Sequence, residues 1–504
     1  MEQWLEPLYD AEGMRAADRW AIEDQDVPSV ELMEAAGAAV AAVAADVARN
    51  ARAHVVCGKG NNGGDGLVAA RELRRLGFEV DALLLWPGAE LRGDAAANLE
   101  RLADGWRAVG GREVGPALAG SGVVVDAIFG TGFAGAPRAP ADAAIDAING
   151  CGAPVVAADI PSGVDAATGE AGGAAVKATV TVTFHAAKRG HWIEPGKELT
   201  GRLRVAPIGI PHGAPAPVAG GLIGDGVLAL APRREAGSTK FTSGEVVVIG
   251  GSRGLTGAVC MSAEAAVRAG AGYATVAVPA DLEAIFEMKL TEVMSRGFGG
   301  EPGRLGSADA DRILAATERG RAVVLGPGLG RDGDSLALAR RLASRIAAPL
   351  VIDADGLNAH AGRLDSLANR ESAAILTPHA GELGRLLDRP SSEISAQRLR
   401  SARAAADRSG AILVLKGDDT IIARGEQLAI SRGGAPALAT AGTGDVLSGV
   451  IAALLARGIE PFAAACAAVH AHQRAGRIAA ERVGAAESVV ATDVIAALPA
   501  ALVP

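Results

Sequence analysis

Apolar residues fall along this chain in short unbroken runs rather than in strict alternation. In the first half the runs are His54–Cys57, Val123–Ala127, Pro154–Ala158 and Thr179–Phe184. In the second they are Glu245–Ile249, Ala274–Val278, Ala322–Leu325, Pro349–Ile352, Ala373–Leu376 and Ala411–Leu415. Val, Ile and Leu runs bounded by Gly or Pro predict strands buried on both faces. The segments between them are rich in Ala, Leu and Arg. Leu67–Leu76, for example, carries its apolar residues at helical spacing. Strand and helix alternate, which predicts an α/β class with parallel sheets covered on both sides. Between the halves, Pro207–Gly221 is dense in Pro and Gly and reads as a linker. The boundary falls near residue 220, giving domains 1–215 and 222–504. The halves share this architecture but no motif, so they are a fusion of two α/β domains rather than a repeat.

Composition narrows the classes. The chain has 504 residues, 49% of them apolar but only 3% aromatic, so its cores must be built from Ala, Val, Leu and Ile. Glycine, at 67 residues, favours many tight strand–helix turns. The net charge of −9, with no basic stripe, argues against nucleic-acid partners. No stretch reaches membrane-spanning length, and the N-terminus Met-Glu-Gln-Trp-Leu-Glu lacks the basic and apolar regions of a signal peptide. Cys57, Cys151, Cys260 and Cys466 are widely spaced, with no C-x-x-C, which predicts free thiols in a reducing compartment. A soluble, cytoplasmic protein is expected.

The first candidate chemistry lies in Gly60-Asn-Asn-Gly-Gly-Asp-Gly66, directly after an apolar run. Its glycines let a backbone turn sharply and approach a ligand, and its amides and carboxylate supply donors and acceptors. A loop joining a strand to a helix is the usual place for a phosphate or nucleotide. A plain Gly-rich turn is the alternative. Two more polar clusters follow apolar runs, Asp126-Ala-Ile-Phe-Gly-Thr-Gly132 and Ala158-Asp-Ile-Pro-Ser-Gly-Val-Asp165. Asp126 and Asp159 could each ligate a cation, act as acid or base, or cap a turn.

Together with Leu32-Met-Glu-Ala-Ala-Gly37, placed on the first helix, these clusters resemble the N-terminal domain of the YjeF family, NAD(P)H-hydrate epimerase. The resemblance spans most of residues 10–210 and implies a Rossmann-like three-layer domain with a bound potassium ion. Asn62, Asp126 and Ser162 would hold that ion. Asp159 would be the catalytic acid/base that interconverts R and S hydrates of NADH or NADPH. Asn61, Asn62, Gly63, Gly64 and Asp65 would contact the substrate, and Gly130, Thr131, Gly132, Phe133, Ala134, Gly135 and Ala136 would flank the dinucleotide. Lys188 faces a phosphate or simply solvent. The loop Phe133–Arg138 departs from the longer polar stretch usual in the family.

In the second half, Thr440-Ala-Gly-Thr-Gly-Asp-Val-Leu-Ser-Gly449 places glycines before an apolar helix. Free amides and the helix dipole would converge there on a transferring phosphoryl group. Asp445 is either a general base or an N-cap. Four other glycine-bearing or charged turns end strands: Gly250–Gly257, Gly326–Gly330, Asp353–Asn358 and Leu376–Glu382. Lys416-Gly-Asp-Asp-Thr420 follows another.

This set resembles the ribokinase-like fold and, within it, the ADP- or ATP-dependent NAD(P)H-hydrate dehydratase, over residues 225–500. By motif, Lys416, Gly417, Asp418, Asp419, Thr420 and Gly444 would contact ADP. Ala258, Gly328, His379 and Asp445 would contact the hydrated nicotinamide nucleotide. His379 is otherwise a satisfied turn histidine. Thr440 stands where the family has Asn, Ala380 where it has Pro, and Thr239-Lys240-Phe241 where many members have His-Lys. The resemblance implies a bifunctional repair enzyme. ADP (or ATP) with Mg²⁺ would phosphorylate the ring hydroxyl, and phosphate would then leave to restore NAD(P)H. A homo-oligomer is the expected assembly. Two other readings remain: a ribokinase-like vitamin kinase carrying an N-terminal nucleotide-binding domain, and a nucleotide-sensing scaffold.

Overall fold

The computed structural model describes residues 2–214, 220–299 and 302–504, so part of the expected linker lies outside the described residues. The chain divides into two compact units, Pro7–Gly221 and a second made of Met1–Glu6 with Leu222–Pro504. This differs from the expected division at the N-terminus. Trp4 and Leu5 are buried in the same core as Ile223, Val227 and Leu228, and the Gly224 amide donates to the Trp4 carbonyl at 3.0 Å. Strand β1 (Leu5–Pro7) accordingly joins the second sheet. Three residues with a single buried apolar position are too short a run to read as a strand in the sequence.

The first unit holds β2 (Arg52–Cys57), β3 (Glu79–Leu84), β4 (Trp106–Ala108), β5 (Val123–Ala127), β6 (Val155–Ala158), β7 (Val180–Phe184) and β8 (Arg202–Ala206). They lie in the order β4-β3-β2-β5-β6-β7-β8, and every pairing is parallel. The order reverses between β2 and β5, where Cys57 stands opposite Ala127. A crevice for a ligand opens at such a switch point, beyond the carboxyl ends of the strands. Helices α1 (Ala11–Glu23), α2 (Ser29–Val47) and α3 (Asn61–Arg75) belong to this unit. The Leu32–Gly37 motif thus lies on the second helix, not the first. Strands β3 and β8 were not legible because Glu79, Asp81, Arg202 and Arg204 interrupt their apolar runs.

The second unit holds β9 (Gly221–Ile223), β10 (Glu245–Ile249), β11 (Tyr273–Pro279), β12 (Met294–Phe298), β13 (Ala322–Leu325), β14 (Leu350–Ile352), β15 (Ala374–Leu376), β16 (Ile412–Leu415), β17 (Ile421–Arg424) and β18 (Gln427–Ile430). Its sheet runs β1-β9-β18-β17-β16-β15-β14-β13-β10-β11-β12. The seven strands from β10 to β16 pair in parallel, with a switch point between β10 and β13. The all-parallel expectation fails beyond β16, where β17 and β18 add antiparallel. Arg424 pairs with Gln427 across Gly425 (φ +51) and Glu426, a two-residue hairpin that leaves no chain for a crossover helix. Both cores are mainly Ala, Val, Leu and Ile, as the scarcity of aromatics requires. Among the described residues, no helix is long and apolar enough to cross a membrane.

Candidate functional sites

The segment Gly60–Gly66 is not a loop but the start of α3, with Gly60 as its N-cap. Its glycines allow close packing rather than a sharp turn. A Cβ on Gly63 would lie 2.0 Å from the Gly58 carbonyl oxygen, one on Gly64 2.7 Å from Met33, and one on Gly66 2.5 Å from the Ala127 methyl. On α2, a Cβ on Gly37 would lie 2.4 Å from Val68. The helix is thereby pressed onto β2, β5 and α2, which brings its first turn to the switch point. Asn61, Asn62 and Asp65 line a cavity of about 670 Å³ there, together with Gly130, Thr131, Gly132, Phe133 and Asp159. Gly63, Gly64 and Ala134 to Ala136 do not line it.

Asp126 closes the end of β5 and is fully buried. Its carboxylate accepts from the Ser162 amide at 2.8 Å and the Ser162 hydroxyl at 2.6 Å. Burial raises it to about 6, against these hydrogen bonds and one from the Ile128 amide. Among the described residues, both polar atoms of the buried Asn62 amide lack a hydrogen-bond partner. An orphaned buried amide costs about 1–3 kcal/mol, so a ligand that satisfies it is favoured. Amide, carboxylate and hydroxyl oxygens are the hard donors that suit an alkali cation.

Asp159 follows β6 in a left-handed conformation (φ +64). Lys188 has no exposed surface, and its ammonium donates to Asp159 Oδ1 at 2.6 Å, Thr183 Oγ1 at 2.7 Å and the Phe184 carbonyl at 3.0 Å. The other Asp159 oxygen accepts from the Thr131 amide at 3.0 Å and also from its hydroxyl. Burial pushes the Asp159 carboxyl up, but the Lys188 charge and the Lys188 and Thr131 hydrogen bonds prevail and hold it well below the usual carboxylate range. Neither expectation for Lys188 survives: it faces neither solvent nor a phosphate but is ion-paired in the interior. His191 supports the pair. Its Nδ1 accepts from the Lys188 amide at 3.0 Å, so its Nε2–H donates to the Asp159 carbonyl at 2.9 Å. This is the neutral ring, and burial lowers its pKa to about 3.

Asp18 of α1 and Asp65 also line the cavity, and burial raises both. Asp18 was missed in the sequence, although a carboxylate beside Ala17 in the apolar stripe Met14–Ala17–Ala21 was a signal.

In the second unit a cavity of about 510 Å³ lies over the ends of β14, β15 and β16 and the start of helix Thr443–Ala456. It is lined by Lys416, Gly417, Asp418, Thr420, Gly444, His379 and Asp445 from the expected set. Asp419 is not there; it is buried in an ion pair with Arg398, Nε to Oδ2 at 2.8 Å. Ala258 and Gly328 do not line this cavity and lie after β10 and β13, at this sheet's switch point.

The N-cap of that helix is Gly442, in the left-handed region (φ +91), and Asp445 accepts no capping bond. Lys416 donates to Asp353 at 3.1 Å and stands 3.6 Å from Glu382. Burial pushes the Asp445 carboxyl up to about 7; Asp353, Glu382 and Asp355 add to this and Lys416 opposes it. The His379 ring caps helix Ala380–Leu387, its Nδ1 accepting from the Gly381 amide at 3.0 Å, while Glu382 accepts from the His379 amide at 2.9 Å. It is therefore a cap that also lines the cavity. Asp353, Glu382 and the buried His472 are site residues not singled out in the sequence. A histidine in the otherwise apolar stretch Phe462–Ala471 and beyond was the available signal for the last.

Comparison with known proteins settles the family. Residues 246–500 match the NAD(P)H-hydrate dehydratase family model, and residues 29–190 match the model for the YjeF-related protein N-terminus. The bifunctional NAD(P)H-hydrate repair enzyme of Moorella thermoacetica is 41% identical over 98% of this chain and 96% of its own length. That of Salinibacter ruber is 38% identical over 98% and 95%.

The chain belongs to the bifunctional NAD(P)H-hydrate repair family.

Among solved structures, the ADP/ATP-dependent NAD(P)H-hydrate dehydratase of Bacillus subtilis, co-crystallised with ATP and Mg²⁺, is 29% identical over 55% of this chain and 94% of its own, with a TM-score of 0.47. The four cysteines are free thiols, three of them buried. Among the described residues, no three His, Cys, Asp or Glu side chains are grouped to cage a metal ion.

Proposed function

We propose that this chain epimerises hydrated NADH and NADPH in its first unit and dehydrates the S epimer in its second, at the expense of ADP or ATP. The observation that carries this reading is the pairing of two differently poised aspartates with family motifs over nearly the whole chain. Asp159 is kept ionised by Lys188, and Asp445 is raised to about 7 beside a helix N-terminus. A general base works best with a pKa near the operating pH.

In the second unit Asp445 takes the proton of the ring hydroxyl as it attacks the terminal phosphoryl group. The first amides of helix Thr443–Ala456 have no acceptor within the helix and point toward the developing charge. Lys416, whose ammonium would lie 3.3 Å from a Cβ at Gly444, adds positive charge at that place. Mg²⁺ bound with the nucleotide would supply further positive charge against its phosphates. Phosphate then leaves as the ring-nitrogen lone pair forms a carbon–nitrogen double bond, and loss of a proton from the neighbouring carbon re-forms the ring double bond. His379, Ala258 and Gly328 would hold the nicotinamide nucleotide, and Lys416 to Thr420 the ADP, with Asp419 acting through Arg398 rather than by contact.

In the first unit Asn62, Asp126 and Ser162 would hold K⁺, which supplies a fixed positive charge beside the dinucleotide. Asp159 acts as acid/base on the oxygen that leaves or joins the hydroxyl-bearing carbon, and Asn61, Asp65 and Gly130 to Phe133 surround the ring. The R and S hydrate mixture, ADP and Mg²⁺ are mixed with the chain while absorbance of the reduced nicotinamide is followed. Full recovery is expected. Recovery that stops at the S fraction removes the epimerase, and a stable phosphoester without recovery makes the second unit a kinase.

A further inference from the structure

Helix α1 carries a carboxylate into the first cavity that no motif accounts for. The helix start is fixed beside Lys188 from both sides. The Tyr9 amide donates to the Ala187 carbonyl at 3.0 Å, and the Arg189 amide donates to the Tyr9 carbonyl at 3.1 Å. Asp10 caps the helix by accepting from the Gly13 amide at 2.8 Å and pairs with the Arg189 guanidinium. Met14, Ala17 and Ala21 then seat the helix on the core. Asp18, about 12 Å further along at ~1.5 Å per residue, is held at the cavity wall. It is half-buried, and among the described residues no hydrogen bond or ion pair satisfies it. A carboxyl in such a place costs free energy that no local contact offsets.

Inverting a carbinol carbon requires a hydroxyl to leave one face of the ring and return on the other. Asp159, locked by four donors (the Lys188 ammonium, the Thr131 amide and hydroxyl, and the Thr183 hydroxyl at 3.2 Å), cannot serve both faces. We propose that Asp18 is the second acid–base group of the epimerase site, working on the ring face opposite Asp159. The inference rests on the epimerase reading above.

For R to S, the Asp18 carboxyl gives its proton to the ring hydroxyl. The carbon–oxygen bond breaks, the ring-nitrogen lone pair forms a carbon–nitrogen double bond, and water departs. A water on the other face bonds to the carbon and gives its proton to Asp159, and the π pair returns to nitrogen. One proton has moved from Asp18 to Asp159. Lys188 drives it off Asp159, and Asp18, open to solvent, regains one. S to R is the reverse.

The surrounding charges fit an acid here. Burial raises Asp18 to about 6, with Lys188 opposing and Asp159 adding. Asp65 of α3 is raised as well, by burial and by the Asp159 and Asp18 charges, and any charge it carries favours a neutral Asp18. Arg15, Lys59 and Asp94 complete the charged lining.

The test uses initial R-to-S rates of the full chain, read by chromatography of the two epimers after subtraction of spontaneous conversion. Asp18→Asn, nearly isosteric, is expected to lower kcat by about 10²-fold or more in both directions, with KM little changed. The unaltered chain should lose rate as pH rises through about 6, and Asp18→Asn should lack that alkaline limb. Asp18→Glu, which keeps an acid, should retain the limb at a shifted pH. Unchanged kcat and an unchanged limb in Asp18→Asn overturn the proposal. If Asp18→Asn loses its thermal transition, the unaltered chain decides: no alkaline limb overturns it as well. A chain that does not epimerise at all fails before any substitution and overturns the epimerase reading beneath it.

Discussion

Each unit sets an aspartate near a lysine, fully buried at Lys188 and partly exposed at Lys416, yet the two carboxyls are driven in opposite directions. In the first unit Lys188 Nζ bonds Asp159 directly, at 2.6 Å, and the carboxyl is held low. In the second, Lys416 donates to Asp353 at 3.1 Å and stands 3.6 Å from Glu382, so the buried Asp445 feels three carboxylates, of Asp353, Glu382 and Asp355, as well as one ammonium and rises to about 7. Burial pushes both upward; where the lysine spends its charge decides the sign. A lysine near a buried aspartate can therefore keep that group ionised or leave it poised to take a proton. The sites also differ in place. Both sheets reverse order once, but only the first cavity opens at its switch point; the second lies over β14 to β16.

The comparison breaks most sharply at Asp445. Asp445→Asn should lower ADP-dependent recovery of the S hydrate by about 10²- to 10⁴-fold while R-to-S exchange continues. Equal loss of both activities in an intact protein would mean that the two aspartates do not serve separate reactions. Next in size is Lys188→Met. Removing one partner of a buried pair costs about 3–5 kcal/mol, because the other charge is left uncompensated. With Lys188 gone, burial loses its chief opponent and only the Thr131 hydrogen bonds and weaker effects remain, so Asp159 should take a proton far more readily and epimerisation should fall together with the thermal midpoint. The double variant Lys188→Met, Asp159→Asn should regain much of the midpoint but none of the activity. A single variant as stable as the parent would show the pair to be unimportant to the fold.

A smaller shift tests the second lysine. Asp445 must be ionised to act as base, so dehydration should rise as pH climbs through about 7. Asp353→Asn removes the leading carboxylate raising Asp445 and frees Lys416 to face it. The acid limb should move down by about one pH unit. An unmoved limb would show that another group sets the rise.

Much of this was legible in the chain. The apolar runs located β2, β5, β6 and β7 and most parallel strands of the second sheet, because strands covered on both faces must be continuously apolar. The motifs after them sit at strand ends and helix starts, and Asp159, Asn62, Lys416 and Asp445 all line cavities. Strands with polar positions, such as β3 and β8, gave no such signal. The destination of Lys188 was hidden because an ion pair is a tertiary fact: nothing near residue 188 in sequence announces Asp159. The double duty of His379 was half visible, since a histidine ahead of Ala-Gly-Glu can be both cap and ligand. The N-terminal strand was invisible because its partner, β9, lies more than 200 residues away.

The smallest expected effect concerns the glycines of Gly60–Gly66, whose role changed most between sequence and structure. If flexibility were their purpose, each would resist a side chain about equally. The packing says otherwise. A Cβ on Gly60 meets nothing within 4 Å, and its φ of −93 suits any residue, whereas one on Gly63 strikes the Gly58 carbonyl oxygen at 2.0 Å. Gly63→Ala should cost about 1–3 kcal/mol or more, since backbone must move to admit the methyl. Gly60→Ala should stay within about 0.5 kcal/mol of the parent. Thermal midpoints of the two variants decide this. Equal losses would return the segment to a flexible loop, and only the unequal result supports close seating of α3 at the switch point.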